Sequence, residues 1–505
     1  MRRDSVQRAS RGILSITGSK LYFLVAGYAS QLLLPRLLGS PEAFGLFSAA
    51  LSFVSILNNV LIGASVQVVS KRVSEAPERA GSTLRQALEV QVTLGLLLSG
   101  ALFGSAPLLA SKVLLDPLLT PLFRLSAAIV LAYALYTAFV GTLNGRQDFL
   151  TQARFDMGYT TLRTLGMVGA AALGFGALGV FYGFALASWS VLVLAACVVG
   201  LGQRGERAPV SSWLRFMAPL WLYQLCLNLM MQIDITLLKR TVAAILQADG
   251  ANFTAAAETA SRYVGFYRAA ETFAFVPYQL ILAVALVIFP MVSEALSLGD
   301  EAAAARYIRT ALRFSLLFLL LLAAPMAGAA RGVLRLVYPA AYAQGAGALA
   351  VLVLAMVFFA LFVLGSTIMT GAGKPSLAAG VALVAVAVLV TSNISLVRYV
   401  GVGEHTLMAA ALGTSAGTFV AMIAIGYTVH ARFGAFIPAT TVLRVLIAAV
   451  VAFCVSRALL GSSALRTLLA LAGGAAAYAS TLFILRELTR DDLAVVARLT
   501  QRKRG

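Results

Sequence analysis

From Leu316 to Ala324, and again from Val381 to Val390, the chain carries no charged or hydrogen-bonding side chain at all. Runs of this kind recur along the sequence, separated by short polar or Gly/Pro punctuation. A spanning helix needs about 20 consecutive apolar residues, and these stretches reach that length once their flanks are included. Composition agrees: 60% of residues are hydrophobic and 12% charged, and the mean hydropathy is +0.90. A soluble chain carries about 25% charge. No globular core could absorb so much apolar surface, so most of it must meet lipid or other helices. The ten-residue alternation of an outer-membrane barrel is absent.

Segmentation gives an all-α polytopic membrane protein with about 14 spans of the expected length. Their approximate limits are 13–38, 44–70, 86–110, 121–143, 155–175, 178–200, 214–238, 264–290, 311–330, 349–370, 377–396, 405–428, 441–457 and 465–485. The first and eighth are long and contain polar residues, so bends are expected there. The apolar stretch after Arg11 is too long for a cleavable signal peptide, lacks a small-residue cleavage site, and reads as the first span.

The formal charge of +19 would suggest nucleic acid in a soluble protein; here it reflects topology. Lys and Arg crowd into alternate loops: Arg2–Arg11, Lys71–Arg85, Arg146–Arg154, Arg204–Arg215, Arg306–Arg313, Lys374, Arg432–Arg444 and the tail from Arg486. The positive-inside rule makes these cytoplasmic, together with both termini. Residues 486–505 read as a basic cytoplasmic tail, in which Thr489-x-x-Asp492 followed by Leu493, Val496 and Leu499 predicts a short amphipathic surface helix.

Two distant stretches resemble each other. Gly45–Phe53 aligns with Gly265–Phe273, and after a one-residue slip Val73-Ser-Glu75 aligns with Val292-Ser-Glu294. A weaker echo joins Gly145-Arg146 to Gly373-Lys374. The two helices are an even number of spans apart, so the repeat is parallel, about an axis along the membrane normal.

Polar residues line matching faces of these helices. Ser48, Ser52, Ser55, Asn59 and Gly63 share one face of the second span. Arg268, Thr272, Phe275 and Gln279 share one face of the eighth, with Glu271 beside it. The first span adds Lys20, Gly27 and Gln31; the seventh adds Gln224, Asn228 and Gln232, with Asp234 nearby. An intramembrane charge costs about 2.5–3.5 kcal/mol on insertion scales, so it should face water, a partner or a cargo. The candidate cavity residues are therefore Lys20, Gln31, Asn59, Asn228, Arg268 and Gln279, with Asp234 and Glu271 as candidate coupling carboxylates. A Ser/Asn/Gln stripe also serves simply to glue helices together, and Arg268 and Glu271 at i,i+3 are placed to neutralise each other.

Motifs for chemistry are weak. Gly413-Thr-Ser-Ala-Gly417 fits a nucleophile elbow, but it lies in an apolar helix without the strand–turn–helix context. Gly371-Ala-Gly-Lys374 lacks the upstream glycine of a phosphate loop. His405 and His430 lie near opposite ends of their span. Cys197, Cys226 and Cys454 have unrelated spacings and suggest neither disulfide nor metal. The reading is a non-enzyme with no metal, cofactor or nucleic-acid partner, whose transport is passive or driven by an ion or lipid gradient.

Leu34-Pro-Arg-Leu-Leu-Gly-Ser-Pro-Glu-Ala-Phe-Gly-Leu-Phe47 resembles the loop that opens the second helix of polysaccharide flippases, a branch of the multidrug/oligosaccharidyl-lipid/polysaccharide (MOP) exporter superfamily. Asp234, Val264–Ala270, Phe289-Pro290 and Leu488–Leu493 agree with it. The resemblance implies two six-helix lobes in a V, over 1–205 and 206–430, plus two further helices over 431–485. It also implies movement of a polyprenyl-pyrophosphate-linked oligosaccharide from the inner to the outer leaflet of a bacterial inner membrane. Such a flippase feeds surface polysaccharide synthesis, O-antigen and lipopolysaccharide included. Its partners would be that cargo, membrane lipid, and a polysaccharide polymerase or glycosyltransferases. Lys20 and Arg268 would pair the diphosphate while Asn59, Gln279 and Asn228 replace the sugar's water. The first span lacks the carboxylate of the drug-extrusion branch, and the arginine-rich pattern of the peptidoglycan-precursor branch is missing around the second. Thr241–Ser261 is longer than that family's loop. A cation-coupled drug exporter using Asp234 or Glu271 is the alternative within the superfamily; a non-transporting scaffold for polysaccharide synthesis is the alternative outside it.

Overall fold

The computed structural model describes residues 2–488, among which there are sixteen α-helices and no strand. The first eight are α1 (Arg2–Leu37), α2 (Pro41–Glu75), α3 (Ala80–Leu108), α4 (Leu119–Gly145), α5 (Phe149–Ala172), α6 (Gly176–Val199), α7 (Val210–Ala248) and α8 (Phe253–Ala274). The remainder are α9 (Val276–Ser297), α10 (Glu301–Gly328), α11 (Ala330–Val337), α12 (Ala346–Gly371), α13 (Pro375–Val400), α14 (Thr406–Phe433), α15 (Ala439–Leu459) and α16 (Ala464–Ile484).

Every expected span overlaps a helix. Ten of the described helices are long and apolar enough to cross a membrane. α5, which holds Arg154, Asp156 and Arg163, and α7, which holds Arg215, Asp234, Lys239 and Arg240, are outside that group. The bend expected in the eighth span is a break: α8 ends at Ala274 and α9 begins at Val276, with Pro277 in its first turn. Proline has no N–H and fits a first turn, where that donor would be orphaned anyway. The first span is instead continuous, with Pro35 in its last turn. The predicted amphipathic helix after Thr489 lies outside the described residues.

Helix starts are written in the loops. Ser40 caps α2, its hydroxyl accepting from Ala43 N at 3.1 Å, with Pro41 in the first helical position. Asp148 caps α5 and Asp300 caps α10 in the same way. Each such cap satisfies an orphan N–H and contributes about 1 kcal/mol.

The chain divides into two compact units, Met1–Arg268 and Ala269–Gly505. In the first, α4 packs on α2, α3 and α6, α5 lies between α1 and α6, and α7 runs along α2. Glycines allow these approaches: a Cβ on Gly141 would lie 2.6 Å from Val69 Cβ, and one on Gly145 2.6 Å from Val73 Cβ. In the second unit, α12 packs on α9, α10 and α14, α13 lies against α14, and α15 lies between α10 and α16. The Gly413–Gly417 motif serves this packing. A Cβ on Gly413 would lie 2.4 Å from Asn393 Cα, and one on Gly417 2.5 Å from Leu389 Cβ, so α14 and α13 touch backbone to backbone. Small residues at close helix crossings are the expected membrane device.

Candidate functional site

α7 is the spine of the polar site in the first unit. Its residues Gln224, Asn228 and Gln232 recur every four positions and so share one face. Asn59 on α2 donates its side-chain amide to Asn228 Oδ1 at 2.8 Å, and Asn228 Nδ2 donates in turn to Gln224 O at 2.8 Å. Gly63 makes room for this: a Cβ there would lie 2.5 Å from Gln224 Nε2. One turn further along α7, Arg268 of α8 reaches Gln232 Oε1 at 3.4 Å. The Arg268 charge also acts on Tyr28 of α1. Asn59 is exposed and Arg268 half-buried, whereas Asn228 is buried.

The other candidates are distributed more widely. Lys20 is exposed on α1, where its charge acts on Asp156 of α5, and Gln31 is half-buried on the same helix. Asp234 is buried; its Oδ2 accepts from Tyr267 OH of α8 at 2.9 Å and its Oδ1 from Ile235 N at 2.9 Å. Glu271 is buried on α8 and Gln279 half-buried on α9. Thus Asn59, Asn228 and Arg268 are gathered around α7. On the α2 stripe, Ser48 and Ser52 are fully buried in helix packing, so the open part of that face begins nearer Asn59. Among the described residues no group of three His, Cys, Asp or Glu could hold a metal.

Three polar clusters lie outside the stripes. The first is a buried ion pair: Lys239 Nζ lies 2.7 Å from Asp116 Oδ2 and also donates to Ser261 Oγ, with Lys239 at 0% and Asp116 at 1% exposure. It ties the α3–α4 turn to α7 and α8. Sequence segmentation ended the seventh span at 238, which placed Lys239 in a loop. The missed signal was the absence of Gly or Pro until Gly250, so helix continues through Ala248 and accounts for the long Thr241–Ser261 segment. The turn follows at Gly250, whose φ of +90° suits glycine, and Asn252 then caps α8. The second cluster places the Arg163 guanidinium against Phe23, Phe184 and Tyr159, 5.4 to 5.9 Å from the ring centroids. The third is at Glu487, 4% exposed, which accepts from Arg313 Nε at 2.9 Å, Thr441 Oγ1 at 2.9 Å and Arg444 Nη1 at 3.1 Å.

A guanidinium with amides along the neighbouring helix face provides a planar fork for anionic oxygen and donors and acceptors for hydroxyls. It offers no nucleophile–base pair. With ten described helices long and apolar enough to cross a membrane, the architecture is that of a multi-pass membrane protein. Among solved structures, the chain matches a lipid II flippase MurJ in an inward closed conformation, at TM-score 0.76 and 13% identity, over 94% of this chain and 99% of that one. It matches an inward-facing multidrug resistance MATE family transporter of the MOP superfamily at TM-score 0.62 and 17% identity, over 82% and 94%. A MOP superfamily transporter from Pyrococcus furiosus matches at TM-score 0.59 and 16% identity, over 85% and 95%. At these identities the likeness is one of fold. No curated protein matches the sequence. The sequence pattern of the polysaccharide biosynthesis protein family matches residues 33–346, more than half of the chain, and the chain belongs to that family.

Proposed function

We propose that the chain is a flippase that carries a polyprenyl-pyrophosphate-linked oligosaccharide from the inner to the outer leaflet of a bacterial inner membrane. The cargo is a precursor of surface polysaccharide such as O-antigen. Transport proceeds by alternating access of two six-helix lobes, 1–205 and 206–430, within fourteen crossings, and 431–485 supplies the two extra helices. Both termini are cytoplasmic, and the partners are a polysaccharide polymerase or glycosyltransferases.

The observation that carries this reading is Arg268 on α8 with Gln232, Asn228 and Asn59 along α7 and α2. A diphosphate and sugars cannot cross hydrocarbon unaided, because unpaired buried charge costs many kcal/mol. A guanidinium pairs the diphosphate, as would Lys20 and, for the glycan, Gln31 and Gln279; amides take over the hydrogen bonds that sugar hydroxyls make to water. Membership of a polysaccharide biosynthesis family supports the cargo class. A deletion strain should trap lipid-linked glycan in the inner leaflet, restored by the wild-type gene. Normal surface glycan in that strain would refute the assignment.

A second reading, a cation-coupled multidrug exporter, draws on the buried Asp234 and Glu271 carboxylates and on the MATE-like fold. In that case Asp234→Asn abolishes drug resistance conferred by the overexpressed protein, and the deletion leaves surface glycan intact.

A further inference from the structure

In the second unit α9 and α10 run antiparallel from the Leu298–Asp300 turn and leave a groove of about 750 Å³ between them. The volume lies within the range of ligand sites, about 300–1,000 Å³. One wall is Ile281, Val284, Ile288 and Met291 of α9, a single face at i, i+3, i+7 and i+10; the other is Tyr307, Ala311, Phe314 and Phe318 of α10, at i, i+4, i+7 and i+11. Arg306 closes the end near the turn.

Two further observations bear on what fills it. The aromatic wall is open: Tyr307, Phe314 and Phe318 are 39%, 37% and 42% exposed. Arg306 is exposed and makes no ion pair with any described residue. From Arg306 to Phe318 the wall rises about 18 Å at 1.5 Å per residue, close to one leaflet of a hydrocarbon core about 30 Å thick. An apolar trough of leaflet depth with one cation at its mouth matches a chain with a negative head.

We infer that this groove holds one acyl chain of an anionic phospholipid, with its phosphate against Arg306. The site lies on α9 and α10, apart from the residues around α7, and the inference stands whatever the cargo is. The chain replaces the bulk lipid that the aromatic wall would otherwise meet, and the guanidinium selects headgroups by charge.

The test uses the full-length protein in detergent, with native mass spectrometry against phosphatidylglycerol and phosphatidylcholine of matched chains. Phosphatidylglycerol should be retained preferentially. Arg306→Gln should weaken its retention about fivefold, the value of one interfacial cation, and leave phosphatidylcholine unchanged. Ala311→Trp, which fills the trough, should lower retention of both. Unaltered headgroup preference in Arg306→Gln, or unaltered retention in a folded Ala311→Trp protein, would overturn the inference. So would displacement of phosphatidylglycerol by equimolar polyprenyl phosphate, which would make the trough a seat for the cargo's tail. If Ala311→Trp does not fold, Tyr307→Trp reports instead. Its fluorescence should be quenched more by brominated phosphatidylglycerol than by brominated phosphatidylcholine, and equal quenching would likewise overturn it.

Discussion

Gly45 and Gly265, which the internal repeat sets opposite each other, pack backbone against backbone where α2 and α8 cross. A Cβ on Gly45 would lie 1.7 Å from Ser261 O and 2.9 Å from Gly265 N; one on Gly265 would lie 2.2 Å from Pro41 O. Glu42 and Arg262, equivalent in the same alignment, form an ion pair beside them.

Neither glycine tolerates a side chain without separating the helices. Gly45→Val and Gly265→Val should each destabilise by about 1–3 kcal/mol, the usual cost of overpacking, measured by thermal unfolding in detergent. Gly104→Val, where a Cβ meets nothing within 4 Å, should be silent. Equal effects at all three positions would remove the special role of the crossing.

Lys239 and Asp116 supply the second constraint at this crossing. Removing one partner of a buried pair leaves an uncompensated charge and costs about 3–5 kcal/mol, whereas replacing both by apolar groups is often neutral. Asp116→Ala should therefore be severely destabilised, and Asp116→Leu/Lys239→Met should recover most of the loss. The comparison is made by denaturation of the purified proteins, and a double variant no better than the single would mean that the pair itself supplies net stability.

The architecture was legible because hydrocarbon leaves few choices: apolar runs of span length have to be helices, and each expected span overlaps one, ten of the described helices being long and apolar enough to cross a membrane. Asn228 was legible in the four-residue polar period of α7, whereas the crossing of α2 and α8 was not, because aligning Gly45 with Gly265 does not say that the two meet. What stayed hidden depended on where helices end. Lys239 looks like a loop cation until α7 is known to continue to Ala248, and Asp116 is an unremarkable turn residue until α7 and α8 close over it. Glu487 gave no periodic signal at all, since its partners come from α10 and α15. Ser48 and Ser52 share a face with Asn59, but position on a face does not reveal how tightly a neighbouring helix covers it.

Glu487 gives a pH dependence with a defined sign. Burial works to raise its carboxyl, but hydrogen bonds from Arg313, Thr441 and Arg444 and the Arg313 charge outweigh this and hold it below the ordinary 4.5. A depressed folded pKa means that the carboxylate's stabilising contribution is fully present above that ordinary value and is lost as pH falls through the folded value. Wild-type melting temperature should therefore drop as pH is lowered below about 4.5, the unfolded value. Glu487→Gln should melt lower at pH 7 and show a shallower acid dependence. Parallel curves for the two proteins would exclude Glu487 as the source.

Arg268 should matter for transport more than for folding. Arg268→Ala should abolish rescue of surface glycan in a deletion strain while membrane abundance stays near wild type, and Arg268→Lys should restore part of it, because a point charge without the planar fork pairs a diphosphate less well. If Arg268 served only to neutralise Glu271, Arg268→Ala/Glu271→Ala would recover full activity. No recovery is expected.

Accessibility separates a cavity lining from helix glue. Asn59 is exposed although it donates to Asn228, whereas Leu61, about half a turn away on α2, is 3% exposed. In an otherwise cysteine-free protein, Asn59→Cys should react with a small polar methanethiosulfonate reagent and Leu61→Cys should not. Gln279→Cys, at a half-buried position on α9, should react like Asn59→Cys if both faces line one hydrated cavity, with Ile281→Cys, 1% exposed, as its silent control. Protection of both reactive cysteines by lipid-linked oligosaccharide would tie the two polar faces to one cargo. Protection of Asn59→Cys alone would confine binding to the residues around α7 and make the use of the repeat asymmetric. Equal reactivity at positions 59 and 61 would mean that the polar stripe is helix packing, and the cavity would have to be sought elsewhere.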